Sequence, residues 1–138
     1  MNFDVLTTDY FNVEAKRLGK RYRSFVDDYD TFVKDIKRNP YQGVEILPGV
    51  RKVRNAIQSK DKGKSRGARI ITFTYAISEE NGVVYLLIIY DKEDASSVKK
   101  NVIKAILKDI GFDINKMQAE GKLKPQQVED IEGEGQIE

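Results

Sequence analysis

Cysteine and histidine are both absent from this chain. Without cysteine there is no disulfide framework, no thiolate metal site and no cysteine nucleophile. Without histidine the usual catalytic triads and imidazole-ligated metal centres also fall away, so any chemistry must come from carboxylate, Lys, Arg or Tyr side chains. Neither a cofactor nor a bound metal is expected. Long apolar runs are missing too. The longest, Val83 to Tyr90, is far short of the roughly 20 residues that a membrane span needs. The start Met1-Asn2-Phe3-Asp4 has neither a basic n-region nor an apolar h-region, so a cytoplasmic protein without a membrane partner is expected.

What is present is a chain of 138 residues with 24 basic and 22 acidic side chains. That length suits one domain with a real core. The near balance of charge hides an uneven distribution. Residues 111–138 hold three basic side chains and seven acidic ones, leaving 21 basic against 15 acidic in the first 110, a net charge of +6. The expected organisation is therefore a folded domain over residues 1–111 and an acidic, flexible tail over 112–138.

Phe3 to Leu6 reads as a short strand. Asp9 can cap a helix that carries Phe11, Ala15 and Leu18 on one side and runs to Gly19. Ser24 with Asp27 resembles a capping box before Phe25, Tyr29, Phe32, Val33 and Ile36 at helical spacing, and Asn39-Pro40 stops that helix. Pro48-Gly49 signals a turn, followed by a charged strand over Val50 to Ile57, a polar loop over Gln58 to Arg66 and a strand over Ala68 to Ile77. Residues 78–82 close a hairpin onto Val83 to Tyr90, which is apolar at every position and therefore reads as a central strand covered on both faces. Ser96 or Ser97 can start a last helix that ends at Gly111, and another helix could form near Met117. The fold class is α+β: a small antiparallel-dominated sheet with two N-terminal helices and a C-terminal helix, in the order β-α-α-β-β-β-α, with helices on one side of the sheet.

Eight cations, Arg51, Lys52, Arg54, Lys60, Lys62, Lys64, Arg66 and Arg69, stand before the hairpin with only Asp61 among them. Gly63-Lys64-Ser65 is not a P-loop, because the glycine required five positions earlier is Gln58 and a strand follows where a helix should. Strand alternation puts Lys52 and Arg54 on one face, and Arg69 on a face with Ile71, Phe73 and Tyr75. If the two strands pair, Arg69 reaches the same end of the sheet as Arg54; whether Lys92 joins them is open. Such a cluster would bind a phosphodiester and stabilise charge developing on its oxygens. Tyr90 could offer a stacking face to a base. The plainer readings are solvated charges that guard a strand edge and a tyrosine at the rim of the core.

The stretches Leu47-Pro48-Gly49-Val50-Arg51-Lys52-Val53-Arg54, Gly63 to Ile71 and Tyr85-Leu86-Leu87-Ile88-Ile89-Tyr90-Asp91-Lys92, in this order of elements, resemble the RelE/HigB superfamily of toxins from bacterial type II toxin-antitoxin modules. The resemblance covers about residues 1–110. It implies a metal-independent endoribonuclease that cuts messenger RNA, typically on the ribosome, and is held inactive by a partner antitoxin. By position it implies catalytic roles for Lys52, Arg54, Arg69 and Lys92. The basic loop residues Lys60, Lys62, Lys64 and Arg66, together with Tyr90, are then the residues expected to bind the RNA. After Lys92 the chain departs from the family pattern, since Glu93-Asp94 replaces further basic residues and no tyrosine follows, which leaves the general acid open. The alternatives are a ParE-like inhibitor of DNA gyrase and a non-catalytic RNA-binding module of the same fold.

Overall fold

The computed structural model describes residues 2–60, 67–119 and 136–137. Strand β1 (Asn2–Thr7) leads into helices α1 (Asp9–Arg21) and α2 (Phe25–Arg38), followed by β2 (Val44–Leu47), β3 (Val50–Asn55), β4 (Ala68–Ala76) and β5 (Asn81–Asp91). The short β6 (Val98–Lys99) precedes α3 (Lys100–Asp109) and α4 (Ile114–Ala119), and β7 (Gln136–Ile137) pairs with β6. The main sheet has the order β1-β5-β4-β3-β2 and is antiparallel except for the β1–β5 pair.

The expected α+β class and the long hairpin are present, and the additional helix allowed near Met117 is α4. The architecture differs from expectation in the extra strand β2 and in having helices on both faces of the sheet. Phe11, Leu18, Phe25, Phe32 and Ile36 of α1 and α2 pack on one face against Val53, Ile70, Val84 and Leu86. On the other face Ile103, Ile106 and Leu107 of α3 and Ile114 and Met117 of α4 pack on Val50, Ile71, Phe73 and Leu87. The register shift between β4 and β5 beside Ile71 and Thr72 leaves Leu87 as an extra residue, so that successive residues Leu87 and Ile88 both serve the second core. Because β5 is apolar on both sides, one layer of helices would have left half of it wet.

Local starts differ from expectation where tertiary partners intervene. Thr8 rather than Asp9 caps α1: its hydroxyl accepts from the Phe11 amide at 3.0 Å and donates to the Leu87 carbonyl at 2.7 Å, tying the helix start to β5. Ser24 precedes α2 but makes no cap bond; its hydroxyl donates to Asp28 at 2.7 Å. Helix α3 begins at Lys100, not at Ser96 or Ser97, since Val98 and Lys99 are extended against β7. Its C-terminus closes as a Schellman motif, with the Phe112 amide on the Leu107 carbonyl and the Gly111 amide on the Lys108 carbonyl. The folded unit also passes the boundary expected at residue 111. Phe112 lies within 5.1 Å, centroid to centroid, of both Phe73 and Tyr75, and Ile114 and Met117 are buried.

Candidate phosphate-binding groove

Alternation along β3 sends Arg51, Val53 and Asn55 toward α1 and α2, and Val50, Lys52 and Arg54 toward the face that carries α3 and α4. Antiparallel pairing then sets Arg54 directly opposite Arg69, and Arg69 opposite Tyr90 on β5. Opposite residues have Cβ atoms about 5 Å apart, and like charges there repel. Two arginines in this register are therefore costly unless an anion or another acceptor lies before them.

Lys92 completes the arrangement. Just beyond β5 its amide donates to the Gly67 carbonyl at 3.1 Å, which fastens it beside the start of β4. Lys52, Arg54, Arg69 and Lys92 line a single groove of about 450 Å3 together with Gln42, Gly43, Val44 and Val53. No carboxylate is among these described lining residues. Gly43, at φ 99°, forms part of the wall because a Cβ there would sit 2.7 Å from the Lys52 carbonyl oxygen. Gly67 is required for closeness: a Cβ there would lie 2.2 Å from the Asn55 carbonyl oxygen.

Arg69 is only 5% exposed and donates to the Ala68 carbonyl at 3.2 Å. Burial and then the neighbouring Arg54 pull its pKa below the usual value, and Tyr90 partly offsets them. Both leading causes penalise the charged form, so a ligand that restores negative charge here gains more than it would at an exposed arginine.

Of the residues expected to bind RNA, Lys60 and Tyr90 do not line the groove. Lys60 is not a free cation on a loop: its side chain is 5% exposed and its ammonium lies 2.9 Å from Asp91 and 5.3 Å from the Tyr22 ring centroid. An ammonium on a short 3-10 turn (Gln58–Lys60) beside a buried carboxylate is drawn inward. Tyr90 is 7% exposed, packs in the second core and offers no face to a base. Its hydroxyl finds no hydrogen-bond partner among the described residues, and burial raises its pKa. Lys62, Lys64 and Arg66 lie outside the described residues. Arg51 turns away from the groove, 3.6 Å from Glu45 and over the Tyr41 ring.

Sequence reasoning missed Gln42 and Gly43 in the groove wall, and also the cluster that braces Lys92. The wholly buried Asp91 carboxylate accepts from the Tyr22 hydroxyl at 2.6 Å, from Arg21 and Lys60 at 2.9 Å, and from the Glu93 amide at 3.0 Å. A signal was available, because a carboxylate that ends an apolar central strand must find cationic or donor partners. Among the described residues no group of His, Cys, Asp or Glu is placed to hold a metal ion, and no helix is long and apolar enough to cross a membrane. No protein-family model matches the chain and no curated protein matches it in sequence, which leaves the groove's own geometry to carry the functional reading.

Proposed function

We propose that this groove holds a phosphodiester of RNA and that the chain is the toxin of a type II toxin-antitoxin module, of the RelE/HigB-like kind. In this reading it is a metal-independent endoribonuclease of the cytoplasm that cuts messenger RNA on the ribosome and is restrained by a partner antitoxin. The observation that carries it is the convergence of Lys52, Arg54, Arg69 and Lys92 in one groove, with Arg54 and Arg69 directly opposed. In the proposed reaction a 2′-hydroxyl oxygen bonds to the adjacent phosphorus and the bond to the 5′-oxygen breaks. The 2′-hydroxyl loses its proton and the departing 5′-oxygen gains one. Arg69 and Arg54 stabilise charge on the phosphorus-bound oxygens, Lys52 assists removal of the first proton, and Lys92 assists the leaving oxygen.

A second reading is supported by the seclusion of Tyr90. With its hydroxyl buried, Lys52 and Lys92 are the only proton-transfer groups among the described lining residues, and the groove would then bind RNA without cutting it. Titration of a single-stranded RNA over a range of salt tests the shared part of both readings. Affinity should fall with salt, and each of Lys52→Ala, Arg54→Ala and Arg69→Ala should lower the log–log slope by about 0.7. Equal salt slopes for wild type and all three variants would refute phosphate binding in the groove. Recovery of shortened RNA separates cutting from binding.

A further inference from the structure

A second concavity, of about 300 Å3, opens between α2 and the end of β3. Its electrostatic character is opposite to that of the groove, because Asp27 and Asp35 line it. Phosphate is repelled from such a surface, and the carboxylates are not grouped to hold a metal ion. Phe32 contributes an apolar wall. Asn55 also lines this pocket and is 5% exposed, with a side-chain amide nitrogen that finds no partner among the described residues. An unpaired buried donor is costly, and an acceptor from a ligand would relieve it. Asp28 is otherwise engaged, accepting from Ser24 and from the Gln58 amide.

The two concavities are adjacent, with Arg54 and Gln42 lining both. A ligand with an anion at Arg54 therefore continues into a pocket that accepts N–H groups, offers an amide donor and has an apolar side. A nucleotide has this polarity. Among the bases, guanine presents adjacent N1–H and N2–H donors, which one carboxylate can accept together, beside an O6 acceptor for an amide N–H. Adenine and cytosine present an amino group without a neighbouring ring N–H, and uracil has a single N–H and no amine.

We propose that the pocket of Asp27, Asp35 and Asn55 reads the base attached to the phosphate in the basic groove, and that guanine is the base it fits. This rests on the reading of the groove as an RNA phosphate site. The test is equilibrium binding of short single-stranded RNAs of equal length that differ at one position, guanosine against inosine, adenosine, cytidine or uridine. The guanosine RNA should bind about tenfold more tightly than the adenosine, cytidine and uridine RNAs, with inosine, which lacks the amine, in between. An Asp27→Asn, Asp35→Asn double variant alters partly exposed side chains and should fold. It should lose the guanosine preference while keeping or gaining affinity for guanine-free RNA, since two repelling charges are gone. Equal binding of all five RNAs by the wild type, or an undiminished preference in the double variant, overturns the base pocket and leaves the groove standing. Absence of binding to every RNA at low salt overturns the groove reading and the base pocket with it.

Discussion

Asp91 lines neither concavity, yet it fixes what stands next to it. Arg21 of α1, Tyr22 behind it and Lys60 of the turn after β3 all converge on this carboxylate, so the end of β5, and Lys92 with it, is held against two other parts of the chain. Burial alone would raise the Asp91 pKa; the Tyr22 hydroxyl, the Glu93 amide, Lys60 and Arg21 more than offset that and bring it to about 2. A depressed carboxylate pKa stabilises the fold above the unfolded value near pH 4 and is lost as pH falls toward 2, here about 2–3 kcal/mol. For Lys60 burial acts to lower the pKa and Asp91 to raise it, with a net rise. That contribution is held below the ordinary lysine range and lost as pH climbs through the raised value. Both shifts describe one ion pair and are counted once. Urea unfolding across the acid range should show this loss, and Asp91→Asn should flatten it. Asp91→Ala should cost about 3–5 kcal/mol, because it strands a buried ammonium. If Asp91→Ala unfolded at the wild-type urea midpoint, the cluster would have no such role. The same residues show where the sequence misled. Lys60 reads as a loop cation until its partner, 31 residues away, is seen, and Tyr90 reads as a strand-end ring until α3 is seen to bury its face of the sheet.

Elements set by strong local periodicity were legible. The apolar run of β5 announced a central strand, and the spacing of Phe25, Tyr29, Phe32, Val33 and Ile36 announced α2. What escaped was decided at long range. Strand β2 is only Val44–Leu47, and its identity rests on pairing with β3 across the Pro48-Gly49 turn. The start of α3 is displaced by pairing with Gln136 and Ile137, far along the chain. In the site, alternation and hairpin logic placed Lys52, Arg54 and Arg69 together, whereas the approach of Lys92 depends on the Lys92–Gly67 bond. At this scale Gly67 is the point of failure. Gly67→Ala would drive a Cβ into the Asn55 carbonyl and should destabilise by about 1–3 kcal/mol or more, while loosening the β3–β4 register that opposes Arg54 to Arg69. The variant should show a lower melting temperature together with weaker RNA binding at temperatures where it is still folded. Unchanged values of both would contradict the close approach.

Across the whole molecule, two cores share one sheet and leave the basic groove at the end of the face that carries α3 and α4. The second core depends on residues beyond 111, where the sequence placed the domain boundary while allowing a helix near Met117: Phe112 sits among Phe73, Tyr75 and Tyr85. Phe112→Ala should therefore cost about 3 kcal/mol, read as a shift in the urea midpoint, and truncation after residue 111 should cost more. A truncated chain as stable as the full one would return residues 112–119 to the status of a tail. The net charge of +6 over the first 110 residues finds its local expression in the groove, and the central claim is that this groove holds RNA for cutting. The most direct measurement is mapping of RNA 3′ ends in cells after brief induction, comparing wild type with a Lys52→Ala, Arg69→Ala variant verified as folded. New ends inside messenger RNAs with the wild type, and their disappearance with the variant, are predicted. Intact transcripts under the wild type, or undiminished cutting by the variant, would contradict it.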